Sequence, residues 1–280
     1  MKVNRITGLI FSKDRAMQLE ALLSSLSLHC RDIQNLDLKV LNITSDSFHE
    51  RQYHRLMSDY GCVEFIREKD FKKQVLSSIE SYEHVLFLVD DAIFVKDFVI
   101  KNVIECLKNN DDVLGFSQRL GTNTNYCYSR SISQKLPNFI EIGNEALKYD
   151  WTSAQGDFGY PLEISSSVYR VNDILPLLEQ LYFVNPNTLE GHMAANKHIF
   201  VNKKNCLMCS SSSIAFCNPV NIVQKVCKNR AGNIPQYSID ELSRMFEQGY
   251  RINVEKYSSF VPNACHHEVE LTFKNLEVSL

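Results

Sequence analysis

Asp90 and Asp91 are adjacent carboxylates that follow five consecutive apolar residues, Val85 to Val89. Two carboxylates side by side repel each other and lose solvation on burial, so they call for a cation or for hydrogen-bond donors. A hard divalent ion, Mg²⁺ or Mn²⁺, meets that need and also neutralises a diphosphate. The same pair equally suits an ordinary turn after a strand, where Asp side chains bond nearby backbone amides. An unbroken apolar run predicts a strand buried on both faces. In open α/β sheets ligands bind beyond the carboxyl ends of such strands, so Asp90 and Asp91 are expected at a crevice.

The elements that would carry this pair are legible around it. Strands are expected at Ile6 to Phe11, Leu38 to Ile43, Val63 to Ile66, Val85 to Val89 and Val113 to Phe116. Leu19, Leu22, Leu23 and Leu26 recur at the spacing of one buried helix face between the first two strands, and a second helix fits Phe71 to Tyr82. Strand–helix–strand alternation predicts helices around a mostly parallel sheet. Gly121 to about Gln155, rich in Asn, Ser, Thr and Tyr, reads as irregular structure with short strands. Helical periodicity returns over Asn172 to Tyr182, Asn187 to Phe200, Val220 to Asn229 and Ser238 to Gln248. The last begins as a capping box, Ser238 with Glu241, and ends at Gly249.

Bulk properties narrow the classes. The chain has 280 residues, 44% of them hydrophobic, enough for a substantial core. Thirty Lys and Arg against 33 Asp and Glu leave a net charge of only -3, so no basic field points to nucleic acid. The opening MKVNRITGLIF reads as a first buried strand rather than a signal segment, and no apolar run approaches the roughly 18 to 20 residues of a membrane span. Nine cysteines without a secretory signal fit a reducing compartment. The lone CxxC, Cys206 to Cys209, reads as core because no second pair completes a zinc site.

The Asp90-Asp91-Ala92 strand end resembles the acidic motif of the GT-A class of glycosyltransferases, without the final Asp of the simplest Asp-x-Asp form. The resemblance extends to Phe11-Ser12-Lys13-Asp14-Arg15-Ala16-Met17-Gln18-Leu19, which is similar to the strand-to-helix entry where these enzymes bind nucleotide. It implies Phe11, Ser12, Asp14 and Arg15 at the donor. Asp14 would accept from base or ribose, and Arg15 with the helix N-terminus would face phosphate. Asp14 also suits the positive end of a capped surface helix. A second strand finishes in Thr44-Ser45-Asp46, which places Ser45 and Asp46 beside the donor or at a helix cap. The missing final Asp leaves open which carboxylate touches the metal directly; the resemblance is taken to imply Asp91 at the metal and Asp90 at the donor sugar or ribose.

Farther along, WTSAQGDFGYPLEISSSVYR, Trp151 to Arg170, combines aromatics that suit sugar rings with Asp157 and Glu163 as acceptors; a core-anchoring loop fits it equally well. In inverting GT-A enzymes a carboxylate at a helix start in this part of the chain deprotonates the acceptor, which makes Glu190 the candidate base and Asp157 its substitute. Asn187 and Glu190 also have capping-box spacing. The resemblance brings a late His to the metal, His266 or His267, which point differently if the segment is extended. Arg230 is a phosphate candidate.

Taken together, the resemblance implies an α/β fold: a GT-A-like, Rossmann-type mixed sheet flanked by helices, with a C-terminal acceptor-binding portion. Residues 1–120 would be the nucleotide-sugar-binding half and 121–280 the acceptor-binding and catalytic half of one domain. The implied activity is metal-dependent (Mn²⁺ or Mg²⁺) transfer of a sugar from a nucleotide-sugar, a UDP-sugar first, to a carbohydrate or lipid-linked glycan. Inversion is favoured over retention, and bacterial surface-polysaccharide synthesis is the implied context. The implied location is cytoplasmic, with peripheral contact at the inner face of the membrane. Two other functions stay open on the residues alone: a sugar-phosphate nucleotidyltransferase, and a non-catalytic nucleotide-sugar-binding subunit. Against the former, the first turn lacks a Gly-rich basic loop for a triphosphate.

Overall fold

A computed structural model describes residues 6–143, 145–222 and 234–276. Its strands are β1 (Ile6–Lys13), β2 (Leu36–Ile43), β3 (Glu64–Arg67), β4 (His84–Val89), β5 (Ala92–Phe94), β6 (Val113–Ser117), β7 (Tyr126–Cys127), β8 (Ile132–Ser133), β9 (Ile140–Gly143), β10 (Ala146–Asp150), β11 (Ser167–Arg170), β12 (Cys206–Ser210), β13 (Ala215–Cys217), β14 (Tyr250–Ile252) and β15 (Phe273–Asn275). The helices are α1 (Ala16–His29), α2 (Ser47–Asp59), α3 (Phe71–Ile79), α4 (Ile100–Lys108), α5 (Val171–Gln180), α6 (Pro186–Ala195) and α7 (Ile239–Glu247). The helix expected over Val220 to Asn229 falls largely outside the described residues, as does Arg230.

Nine of the described strands form one mixed sheet in the order β3-β2-β1-β4-β11-β6-β12-β10-β9. β3, β2, β1 and β4 run parallel, while β11 lies antiparallel between β4 and β6. The mixed sheet flanked by helices is the architecture the resemblance implies, whereas the strand–helix alternation alone predicts a mostly parallel one. β4 explains the apolar run before Asp90. Leu86 and Leu88 enter the core on one face, with α1, α2 and α4, whereas Val85 and Phe87 enter the other, with α3, α5 and α6. A strand covered on both faces has no solvent side to mark with polar residues. Replacing Leu88 with Ala would cost about 2–5 kcal/mol.

β12 contains the CxxC pair, and its alternation sends Cys206 into the first core and Cys209 into the second. Residues three apart on a strand face opposite ways, so the two thiols do not meet. All eight described cysteines are free.

Two local features set up the site. Gly115 on β6 pairs with Tyr169 on β11, and a Cβ at Gly115 would come 2.6 Å from the Tyr169 ring. The bare backbone lets that ring lie across the strand, with its hydroxyl 2.7 Å from the Glu163 carbonyl and 3.0 Å from that of Pro161. Because β11 is antiparallel, Ser167 pairs with Ser117 at the carboxyl end of β6. The turn before β11, with Glu163, therefore arrives at the sheet edge where β1 and β4 end. No described helix is long and apolar enough to cross a membrane.

Candidate active site

A cleft of about 920 Å³ opens at that sheet edge. The volume lies in the range of small-molecule sites. Phe11, Ser12, Arg15, Asp90 and Asp91 line one wall; Asp157, Glu163, Glu190 and His266 line the other.

On the first wall β1 and β4 are neighbours, so Arg15 meets Asp90: Nη1 to Oδ1 is 2.9 Å, both groups being buried. The other Asp90 oxygen accepts from the Ser12 hydroxyl at 3.0 Å and the Lys13 amide at 3.3 Å. Burial works against the charge on Arg15, but Asp90 and then Asp91 outweigh it and raise its pKa. Burial pushes the Asp90 carboxyl up, and Arg15 and Ser12 oppose that push. The Tyr53 hydroxyl of α2 hydrogen-bonds Ser12 and accepts from the Arg15 amide at 3.3 Å. Arg15 also donates to the Asn221 carbonyl. Asp90 is thus saturated with partners, whereas Asp91 is 17% exposed in its side chain and has Arg15 at 3.5 Å.

Asp14 stands just behind this wall. Its backbone is left-handed, with φ 53°, a conformation Asp tolerates better than most residues. Its carboxylate accepts the Ser45 amide at 2.7 Å and ties the end of β1 to the end of β2. Asp46 is exposed and caps α2 through the Phe48 and His49 amides, each at 2.9 Å. Asp14, Ser45 and Asp46 do not line the cleft.

The second wall is built around Arg119, which follows β6. It pairs with Glu163 at 2.8 Å, with both groups buried. Its other terminal nitrogen lies 3.3 Å from Cys217 Sγ and 3.3 Å from His266 Nε2. Burial opposes the guanidinium charge, but Glu163 outweighs it and raises the pKa. Glu163 also accepts the Ser165 amide at 2.5 Å and the hydroxyls of Ser166 and Ser167.

Glu190 projects from the first turns of α6 and accepts the Ile164 amide at 3.3 Å and the Tyr160 hydroxyl. It does not cap the helix. The cap is Asn185 with Thr188 in a reciprocal box, and Pro186 opens the helix. Burial pushes the Glu190 carboxyl above its ordinary value, Glu163 adds to the push, and Arg119 restrains it. Asp157 is likewise raised by burial, but its oxygens already accept from Cys127 Sγ at 3.4 Å and Gln134 at 3.3 Å.

His266 and His267 diverge, as expected of an extended segment. His266 lines the cleft, and burial followed by Arg119 lowers its pKa to about 3, which keeps the imidazole neutral. His267 packs against Phe216 and Phe260 outside the lining. No three His, Cys, Asp or Glu side chains among the described residues gather into a metal-holding group. Asp91, partly exposed, offers a carboxylate to the cleft beside the Arg15–Asp90 pair. One carboxylate completed by substrate phosphates and water is a workable donor set for a hard divalent ion.

Sequence reasoning missed Arg119, Tyr53, Tyr160 and Lys13 as site residues. Arg119 had a signal, since it lies two residues past a buried strand end like Asp91. Tyr53 had none, because it reaches Ser12 from the middle of a mostly polar helix.

No known family's sequence profile matches the chain. Over 99% of its length it is 27% identical to the bifunctional glycosyltransferase pgtA of Dictyostelium discoideum, and it spans 39% of that protein. This relative agrees with the resemblance to glycosyltransferases. Among solved structures, the chain is similar to S. aureus TarS in complex with UDP, at 13% identity and TM-score 0.49, covering 77% of this chain and 61% of that one. It is also similar to the mannosyltransferase PcManGT of Pyrobaculum calidifontis in complex with GDP-Man and Mn²⁺, at 13% identity and TM-score 0.39, covering 62% and 46% respectively.

Proposed function

We propose that the chain transfers a sugar from a nucleotide-sugar to a glycan hydroxyl, with Glu190 as general base and inversion at the anomeric carbon. The observation that carries this reading is the cleft itself. One wall holds a charged Arg15–Asp90–Asp91 group at two strand ends, and the other holds a raised, half-buried carboxylate, Glu190. The resemblance to a glycosyltransferase over nearly the whole chain supports it.

In this reading the donor diphosphate lies along the first wall, with a UDP-sugar the first candidate. Asp91 would hold a divalent cation, Mn²⁺ or Mg²⁺, which when bound supplies positive charge to the leaving diphosphate. Arg15, kept cationic by Asp90, faces the same oxygens, and Ser12 with Phe11 shapes the floor. The glycan acceptor lies along the second wall. Glu190 takes the proton of its attacking hydroxyl as the new C–O bond forms, and the bond to the diphosphate breaks with its electron pair leaving on the nucleotide. Tyr160 orients Glu190, while the Arg119–Glu163 pair fixes the turn carrying Ile164, whose amide holds the Glu190 carboxylate. Asp157, engaged by Cys127 and Gln134, is the weaker base. The turn between β1 and α1 has no glycine, which disfavours a triphosphate site and with it the nucleotidyltransferase reading.

The test is release of nucleoside diphosphate from a panel of UDP- and GDP-sugars with oligosaccharide acceptors and Mn²⁺. Acceptor-dependent release from one donor, lost in Glu190→Gln, is the expected result. Pyrophosphate release from a sugar phosphate and a nucleoside triphosphate would overturn it.

A further inference from the structure

A smaller pocket of about 210 Å³ lies beside the second wall of the cleft. Against roughly 30 Å³ for one water in the liquid, that volume admits a sugar-sized group. Arg130 and Gly156 line both spaces, so the pocket is an annex of the cleft rather than a separate hole. Gln134 joins them from behind: it lines the annex, and its amide holds Asp157 through the Asp157 N–H at 2.8 Å and carboxylate at 3.3 Å.

The two spaces differ in charge. The cleft lining carries six carboxylates, on both walls, against the four cations Lys13, Arg15, Arg119 and Arg130. The annex has Arg130 and Lys197 and no Asp or Glu. Lys197 is held in place by the Gly159 carbonyl at 2.8 Å and sits 5.7 Å over the Trp151 ring. Arg130 ends a short 3₁₀ turn, Tyr128–Arg130, is exposed, and forms no ion pair with any described residue. A guanidinium presents five donors in a fixed fork that matches carboxylate or phosphate oxygens. Its neighbours Ser133 and Gln155 are neutral polar groups able to bond sugar hydroxyls.

We infer that the annex binds an anionic substituent, a carboxylate or a phosphate ester, on the acceptor glycan, with Arg130 as the recognising residue. This rests on the proposed function and deepens it. The acceptor is a charged glycan reaching beyond the sugar that is modified, and the annex selects it over a neutral one.

The full chain is titrated by saturation-transfer NMR, with saturating UDP present, using 4-nitrophenyl β-glucoside, its 6-phosphate and 4-nitrophenyl β-glucuronide. At least one anionic probe binds about five- to tenfold more tightly than the neutral glucoside, the scale of one charge-assisted contact. Preference for the glucuronide identifies a carboxylate, and preference for the 6-phosphate identifies a phosphate. Arg130→Gln removes the preference, and Arg130→Glu reverses it, with unchanged thermal denaturation showing that both variants fold. Equal binding of all three probes, or a preference that survives Arg130→Gln, overturns the inference. Displacement of the anionic probes as UDP is raised also overturns it, because they would then sit at the donor phosphates. If no nucleoside diphosphate binds the chain, the proposed function fails; if one binds and the anionic preference is absent, only the annex fails.

Discussion

The two walls of the cleft handle buried charge in opposite ways. On the first, Asp90 is surrounded by donors, Arg15, Ser12 and the Lys13 amide. On the second, Glu163 takes the strong partner, Arg119, and Glu190 is left with one amide and one tyrosine hydroxyl beside a second negative charge. Burial pushes both the Asp90 and the Glu190 carboxyl up, but Asp90 faces a guanidinium that opposes the push whereas Glu190 faces a second carboxylate that adds to it, which suits Glu190 to accept a proton. In the proposed function the first wall holds the donor charge and the second takes the acceptor's proton.

The sharpest way to break this comparison is to exchange the groups. Glu190→Gln lowers turnover by roughly 10²–10⁴-fold, the scale of a lost general base, while nucleotide affinity stays within about twofold. Steady-state kinetics alongside nucleotide titration checks this, and an equal loss in both quantities contradicts the division of labour. Next in size, Arg119→Met strands Glu163 without its countercharge, and Arg15→Met strands Asp90. Breaking one side of a buried pair costs about 3–5 kcal/mol, readable by urea denaturation. If only Arg119→Met destabilises, the first wall is looser than its geometry indicates.

A pH profile sharpens the contrast. Glu190 must be ionised to act, and its carboxyl is raised above the ordinary 4.5, so kcat/KM rises with pH through an inflection above that value. Glu163→Gln removes one of the charges that raise it, so the inflection moves down. Stability moves the other way. A carboxyl with a raised native pKa binds its proton more tightly in the folded state, so Glu190 and Asp157 make stability fall as pH rises from their unfolded pKa values through the folded ones. The smallest effect is at the helix that carries Glu190. Asn185→Ala removes its cap and costs about 1 kcal/mol, with turnover falling only as far as α6 loosens.

The first wall was far more legible in the sequence than the second. The strands β1, β2 and β4 announce themselves as apolar runs, and of the polar ends they point to, Asp90 lies in the cleft while Asp14 and Asp46 do not; Ser12 and Arg15 come from the resemblance. Helix α2 hides because the face it buries includes His49, Gln52 and Tyr53, so its hydrophobic periodicity is weak. β11 hides for a similar reason. Two serines lead into Ser167–Arg170, which read as loop, yet these four residues form a central strand, and it is this insertion between β4 and β6 that carries Glu163 to Arg119. The spacing of Asn187 and Glu190 imitates a cap, and only the observed cap at Asn185 frees Glu190 for the cleft. Local pattern reports what each segment buries; it does not report which strand a later segment will be threaded beside.

The central claim, that this cleft receives a nucleotide-sugar donor, is tested most directly by thermal denaturation with UDP, GDP, ADP and CDP, each with and without Mn²⁺. A ligand at about 100 times its dissociation constant adds roughly 2.7 kcal/mol to stability. At least one nucleotide stabilises the chain, more so with Mn²⁺, and the Mn²⁺ increment is absent in Asp91→Asn. No stabilisation by any of the four, at concentrations up to several millimolar, would contradict the claim.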